Sequence, residues 1–191
     1  MQAMARLIYS AIASLDGYVA DAQGEFGWAK PDEEVHAFVN DLERPLGTYL
    51  YGRRMYETMK VWEGDELLVD PAPAIHDYAE VWRNAEKIVY SRTLDAVETS
   101  RTSLERSFDP EAIRALKGAE ERDIGIGGAE LAGQAIEAGL VDEIQLLLVP
   151  VAVGAGKPAL PIHSRLSLQL EVQRAFANGT IYLRYEVGAR A

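Results

Sequence analysis

The order of apolar and polar positions divides the chain into alternating strand and helix patterns. Residues 5–14, ARLIYSAIAS, form a mostly apolar run of strand length, the pattern of a strand buried on both faces. Asp16-Gly17 marks the turn after it. In residues 31–43, Val35, Phe38, Val39 and Leu42 recur at helical spacing. Pro31 suits the first helical position, and Asp32, Glu33 and Glu34 suit the positive end, so the spacing predicts a helix over 31–43. TYLYG (48–52) predicts a short strand, and RRMYETMKVW (53–62) a helix entered directly from Gly52. A helix over 73–84, a strand over 87–91, and a helix starting at Asp109-Pro110 and stopping at Gly118 follow. DIGIG (123–127) predicts a strand, AELAGQAIEAG (129–139) a helix, and EIQLLLVPV (143–151) a long buried strand. Within that last stretch LLLVPVAV must be covered, and the domain core is the simplest cover. Residues 166–187 change to strict alternation, and Asn178-Gly179 marks a hairpin. The whole pattern predicts an α/β protein: a mixed sheet with helices packed on it, closed by an antiparallel hairpin.

Composition narrows this to one domain over 1–191. The chain is 48% hydrophobic and 26% charged, enough apolar material for a sizeable core. The formal net charge of -11 repels phosphates, which argues against a nucleic-acid or anionic-membrane surface. It leaves room for one anionic ligand held by a few local arginines. There is no cysteine, so disulfides, thiolate sites and cysteine nucleophiles are excluded. His36, His76 and His163 lack zinc-ligand spacing, and no metal is expected. No apolar run approaches 18 residues, and the first residues lack the order of a secretory signal, so a soluble cytoplasmic protein is expected. Met4 offers an alternative start.

Candidate chemistry sits at three strand ends. In IGIGGAEL (124–131), Gly127-Gly128 closes a strand just before a helix. Such a corner either lets a ligand approach the backbone and the free N–H groups of the helix, or is only a tight turn. The G-x-G-x-x-G fingerprint is not met, because Glu130 stands where its last glycine would be. YGRRMYETM (51–59) repeats the arrangement with Arg53 and Arg54 at a helix start, where they oppose the dipole unless an anion sits there. VYSRTL (89–94) ends a third strand with Ser91, Arg92 and Thr93. Three such ends on one sheet edge could span a long, multiply phosphorylated molecule. On the first helix Asp32 lies about 60° from Val35, at the edge of the apolar face, whereas Glu33 faces solvent. Asp32 is therefore the candidate proton-handling carboxylate, with helix-terminal charge compensation as the alternative. Trp28, Phe26 and Tyr56 could line a substrate cleft, or pack in the core.

These motifs, in order with ASLDGYVAD (13–21) and VDEIQLLLVPVAVGAGKPAL (141–160), resemble the dihydrofolate reductase-like superfamily. The resemblance is strongest to stand-alone relatives of the C-terminal reductase domain of the bifunctional riboflavin-biosynthesis deaminase/reductase. It implies a three-layer fold with a mostly parallel central sheet, an antiparallel C-terminal hairpin and helices on both faces. It implies NADPH across the carboxyl edge. Gly52, Arg53, Arg54 and Met55 would hold phosphates, and Ser91, Arg92 and Thr93 would approach the adenosine 2′-phosphate. Gly127, Gly128, Ala129, Glu130 and Leu131 would lie against the pyrophosphate and nicotinamide. Ala11, Ile12, Asp16 and Gly17 would border the nicotinamide, with Ala13 and Val19 beside them. Trp28 and Tyr56 would touch substrate, and a homodimer is implied, with 141–160 contributing. The activity implied is reduction of a small pyrimidine- or pterin-like heterocycle; dihydrofolate reductase proper and a non-catalytic NADP-binding module are the alternatives. Two departures stand out. The acid of true dihydrofolate reductases aligns with Glu33, and MKVWEGDELLVDPAP replaces the segment that carries ribose-phosphate contacts in the riboflavin branch.

Overall fold

The computed structural model describes residues 4–188. Its main sheet has eight strands. In chain order these are β1 (Leu7–Ser14), β3 (Thr48–Gly52), β4 (Glu86–Tyr90), β5 (Thr102–Glu105), β6 (Ile124–Gly127), β7 (Glu143–Val149), β9 (Leu168–Ala175) and β10 (Ile181–Val187). A separate two-stranded ribbon pairs β2 (Tyr18–Asp21), which follows β1 in the chain, with β8 (Gly156–Pro158), which follows β7. The helices are α1 (Glu33–Glu43), α2 (Arg53–Met59), α3 (Pro73–Asn84), α4 (Pro110–Ala119) and α5 (Ala129–Glu137). Spatial strand order is β5-β4-β3-β6-β1-β7-β10-β9, parallel from β5 to β7, with β10 antiparallel to both of its neighbours.

The alternation within each strand sorts side chains to two helix layers. On one face Leu7, Tyr9, Leu50, Ile124 and Ile126 meet Ile113 of α4 and Leu131, Ala132, Ala135 and Ile136 of α5. On the other, Tyr49, Tyr51 and Val89 meet Tyr56 of α2 and Tyr78 and Trp82 of α3. Farther along that face, α1 packs Val35 over Leu147 and Tyr182, with Phe38, Val39 and Leu42 beside it. Tyr49 and Tyr51 stack at 5.5 Å with their rings nearly parallel. Room for them comes from β6: a Cβ on Gly125 would lie 3.0 Å from the Tyr49 ring, and one on Gly127 would lie 2.9 Å from the Tyr51 ring. The alternating glycines of IGIG are thus a packing requirement of the tyrosine stack.

Two element boundaries differ from the sequence expectation. Helix α1 begins at Glu33, with Asp32 as its N-cap in extended conformation, so Pro31 lies outside the helix. Strand β7 ends at Val149; Pro150 offers no N–H to extend the ladder, and Val151 and Ala152 are exposed. The apolar run LLLVPVAV is therefore buried only in its first half.

One sheet face is only partly covered, with Leu146 at the border of the α5-side core. Across β7, β10 and β9 the side away from α1 carries Leu146, Leu148, Leu183 and Tyr185, half-buried, and Leu168, Leu170 and Ile181, exposed. A register shift beside Arg184 leaves Glu171 unpaired, which brings Leu168 and Leu170 onto this face while Val172 packs with the α1 core.

Candidate active site

Parallel pairing brings the carboxyl ends of β1, β3, β4, β6 and β7 to one sheet edge, where ligands of open α/β sheets gather. The strand order divides that edge. Turns after β4, β3 and β6 lie on one side of β1, and the ends of β7 and the β9–β10 hairpin lie on the other.

On the first side, Gly52 is the N-cap of α2 and Gly128 the N-cap of α5, and neither helix start has a side-chain cap. Helices α1 and α4, by contrast, are closed by the carboxylates of Asp32 and Asp109. The two starts at the edge therefore keep first-turn N–H groups for an external acceptor. The turns also touch: a Cβ on Gly52 would be 3.9 Å from Leu131, and one on Gly128 would be 3.4 Å from Met55. Gly128 has φ of 91°, a conformation that side chains resist. Ala129 and Leu131 are themselves buried beneath the turn.

The β4 loop joins this group through Arg53, whose Nη1 donates to Thr93 Oγ1 at 3.1 Å while its Nε lies 3.5 Å from Glu57. Ser91 is buried and shapes the loop: its Oγ accepts from the N–H groups of Thr93 and Leu94. Arg106 braces the same loop by donating to the carbonyls of Ser91 and Leu94 at 3.2 and 2.6 Å. Arg92 is exposed beside them. Arg54 approaches Glu130 at 4.0 Å, and Glu130 binds Lys157 of β8 at 2.7 Å. The hydrogen bond from Lys157 holds the Glu130 carboxyl below its ordinary value. Lys157 and Arg106 escaped the sequence reading, since no local motif marks either.

At β1, Ala11 and Ile12 point to opposite faces, Ala11 toward the α5-side core and Ile12 toward the α1-side core. Gly17 takes φ of 89° in the turn to β2, and Ala13 is fully buried. Asp16 accepts from the N–H groups of Val153 and Gly154, which ties the β1–β2 turn to the segment after β7. Its carboxyl is held low by the Ser14 side chain and by these N–H donors.

On the second side lies a cleft of about 160 Å³ lined by Ile12, Trp28, Ala29, Lys30, Pro31, Val35, Val149, Pro150, Val151, Asn178 and Thr180. Trp28 sits in a 3-10 turn, Gly27–Ala29, and its indole N–H donates to the Glu25 carbonyl at 3.2 Å. The hairpin turn supplies the far wall: Asn178 Oδ1 accepts from the Thr180 N–H at 2.9 Å, and Gly179 has φ of 87°. These walls come from four distant segments, which is why sequence pattern offered only Trp28 among them, while the family resemblance implied Ile12 beside the nicotinamide.

Two predicted site residues are placed differently. Tyr56 is 1% exposed in the core under the sheet, and its hydroxyl accepts from the Glu98 N–H at 2.9 Å. It faces no cleft, because α2 turns that side toward Tyr51 and Trp82. Asp32 borders the cleft in sequence but does not line it; its Oδ1 accepts from the Val35 N–H at 3.0 Å, so the carboxylate closes the start of α1. Charge compensation at the helix end, the alternative weighed for this residue, is what its geometry describes. Among the described residues, no helix is long and apolar enough to cross a membrane.

A three-layer sheet with uncapped helix starts along half its carboxyl edge, and an apolar cleft along the other half, defines a dihydrofolate reductase-like domain of the reductase type. The sequence model for the RibD C-terminal domain matches residues 5–182, and the chain belongs to that family. It is 29% identical over 187 residues to the uncharacterized protein YyaP of Bacillus subtilis (strain 168), covering 94% of each chain. Among solved structures it is similar to a pyrimidine reductase-like protein from Corynebacterium diphtheriae, with TM-score 0.69, 16% identity, and coverage of 97% of this chain and 93% of that one. It is also similar to the diaminohydroxyphosphoribosylaminopyrimidine deaminase/5-amino-6-(5-phosphoribosylamino)uracil reductase of Thermotoga maritima, with TM-score 0.68 and 14% identity. That match covers 97% of this chain but 57% of the longer bifunctional one.

Proposed function

We propose that the protein is an NADPH-dependent reductase of a small pyrimidine- or pterin-like heterocycle, working as a homodimer. The observation that carries this reading is the division of one sheet edge by β1: anion-compatible turns on one side, a small cleft with aromatic and aliphatic walls on the other. A dinucleotide spanning the turns of β4, β3 and β6 ends at Ala11 and Ile12, where it meets the cleft. The family is one of reductase domains, which supports oxidoreductase chemistry.

The residues fit this cofactor. The first-turn N–H groups after Gly52 and Gly128 suit its phosphates, since no side chain competes for them. Arg92 and the Arg53–Thr93 pair suit a 2′-phosphate, because guanidinium groups match phosphate geometry. When bound, NADPH supplies a hydride, and the protein supplies position and electrostatics. Ile12 exposes an apolar side chain at the junction and keeps water from that side of the reacting centre. Asp32 Oδ1 accepts from the Val35 N–H and the residue does not line the cleft, so in this reading the accompanying proton comes from water reaching the open cleft.

Fluorescence titration tests the cofactor reading. NADPH should bind at least tenfold more tightly than NADH, and Arg92→Ala should remove most of that difference while leaving NADH affinity unchanged. Equal affinities in the parent protein would overturn it.

A further inference from the structure

Lys157 lies outside every strand-end motif, yet its ammonium reaches the middle of the proposed cofactor side. Its Nζ is 2.7 Å from Glu130 Oε1, and the same oxygen lies 4.0 Å from Arg54 Nη1. Glu130 is the second residue of α5, whose start has no side-chain cap, and Arg54 follows the Gly52 turn. The carboxylate therefore stands between the two turns that the cofactor reading assigns to phosphates. The hydrogen bond from Lys157 holds it below its ordinary value, which keeps it ionised at neutral pH. A pyrophosphate seated at these turns faces that carboxylate within the Debye length of about 8 Å, where repulsion is only partly screened.

The ion-paired side chains at the two turns balance closely. Arg53 is 3.5 Å from Glu57, and Arg54 and Lys157 share Glu130. Three cations oppose two carboxylates, a local excess of one positive charge in a chain of net charge -11. Without Lys157 the excess is nil, and Glu130 keeps only Arg54, at the outer limit of ion pairing.

The position of Lys157 does not depend on this pair. On β8 it stands opposite Ala20 of β2. One residue earlier, Gly156 crosses so close to β2 that a Cβ would strike the Ala20 carbonyl. Two residues later, the Ala159 N–H donates to the Gly17 carbonyl at 2.8 Å, and the Ala159 carbonyl accepts from the buried Tyr9 hydroxyl at 2.7 Å. Asp16 holds the N–H groups of Val153 and Gly154, and Pro161 packs on Gly133 of α5. These contacts already tether the ribbon, and an exposed ion pair adds little to stability. The Lys157 side chain is 30% exposed, against 67% for Glu130 and 77% for Arg54, so its ammonium is the best fixed of the three charges. A first-turn glutamate suits the helix dipole without any partner. What the pinned ammonium changes is the charge that an incoming phosphate meets.

We propose that Lys157 is a positioning residue of the cofactor site: it draws the Glu130 carboxylate toward β8 and offsets its charge, which opens the start of α5 to a pyrophosphate. This rests on the cofactor reading above. The β2–β8 ribbon thereby takes part in cofactor binding, although it contributes no strand to the main sheet.

Calorimetric titration of NADPH and of adenosine 2′-monophosphate tests this. The monophosphate carries the end assigned to Arg92 and has no pyrophosphate. Lys157→Met should weaken NADPH at least tenfold and the monophosphate less than twofold, while Lys157→Arg should stay within threefold of the parent protein. In a Glu130→Gln background Lys157→Met should cost less than threefold, because the charge it offsets is gone. Circular dichroism and thermal melts check that each variant folds, and Lys157→Gln serves as a second neutral variant. A loss that persists in the Glu130→Gln background, or that the monophosphate shares equally, marks a merely structural role and overturns the proposal. So does NADPH affinity within threefold of the parent in Lys157→Met. Failure of NADPH to bind the parent protein overturns the cofactor reading itself, and this proposal with it.

Discussion

Adjacent residues of one motif do different work. Gly127 is glycine because the Tyr51 ring and Met55 occupy the place of a Cβ, at 2.9 and 3.2 Å. Tyr51 cannot retreat, being stacked on Tyr49 and hydrogen-bonded by the Trp82 indole. Gly127→Ala should therefore cost about 1–3 kcal/mol by overpacking. Gly128 is glycine because of its positive φ, and Gly128→Ala should cost a similar amount, about 1–3 kcal/mol, through backbone strain. The two substitutions separate in ligand binding. Gly128→Ala should weaken NADPH at least tenfold, since it moves the first-turn N–H groups of α5. Gly127→Ala, whose conflict lies inside the core, should lower the melting temperature with a smaller effect on Kd. Thermal melts and NADPH titrations on both variants check this. The motif alone left ligand approach and tight turn open, and the family resemblance assigned both glycines to the cofactor; a glycine's reason lies in its neighbours, and Tyr51 lies on another strand.

Elements were legible where their pattern was long. The helical spacing of Val35, Phe38, Val39 and Leu42, the Asp109-Pro110 start, and the 166–187 alternation each encode the element that forms. Strands β2, β5 and β8 are only 4, 4 and 3 residues long, too short for a period, and exist through their partners. Insertion of β6 between β1 and β3 is a tertiary fact no local pattern carries, and it is what unites the turns of the proposed cofactor side. The start of α1 illustrates how one residue moves a reading. Placed one step inside the helix, Asp32 projects toward a cleft; as N-cap, its carboxylate turns back to the Val35 N–H. Asp32→Asn retains a good cap and should change stability by less than about 0.5 kcal/mol and turnover by less than about threefold, whereas Asp32→Ala should cost about 1 kcal/mol. A large loss of turnover in Asp32→Asn at unchanged melting temperature would make the carboxylate the proton donor after all.

At the scale of the molecule, buried phenols make stability depend on pH. Desolvation raises the phenols of Tyr9, Tyr49, Tyr51, Tyr78 and Tyr182, the last to about 12. Unfolded tyrosine ionises near 10, so the unfolded chain loses protons first; stability from these groups is full below pH 10 and falls as pH rises toward 12. Melting temperature should be flat across pH 7–9 and drop above 10. Tyr182→Phe should reduce the drop without loss at neutral pH, because its buried hydroxyl has no hydrogen-bond partner.

For the homodimer proposed above, we propose the face of β7, β10 and β9 away from α1 as the surface that meets the second copy. No charged side chain stands among Leu146, Leu148, Leu168, Leu170, Ile181, Leu183 and Tyr185, so two copies of net charge -11 can meet there without like charges opposed. With Gln173 and Ala175 these side chains cover about 300 Å² in projection at strand spacing, a part of the roughly 800 Å² per partner of a specific interface. Contacts from the segment after β7 would supply the remainder. Strand β9 is also a sheet edge exposed along nearly its whole length, which leaves it open to uncontrolled pairing unless covered. Light scattering after size exclusion should give twice the 21.0 kDa chain mass at tens of micromolar. Leu170→Glu, at an exposed position that packs against nothing within the chain's core clusters, should shift the protein to monomer with its circular dichroism unchanged. A monomeric parent protein at that concentration, or an unchanged dimer in Leu170→Glu, would remove this face from the assembly.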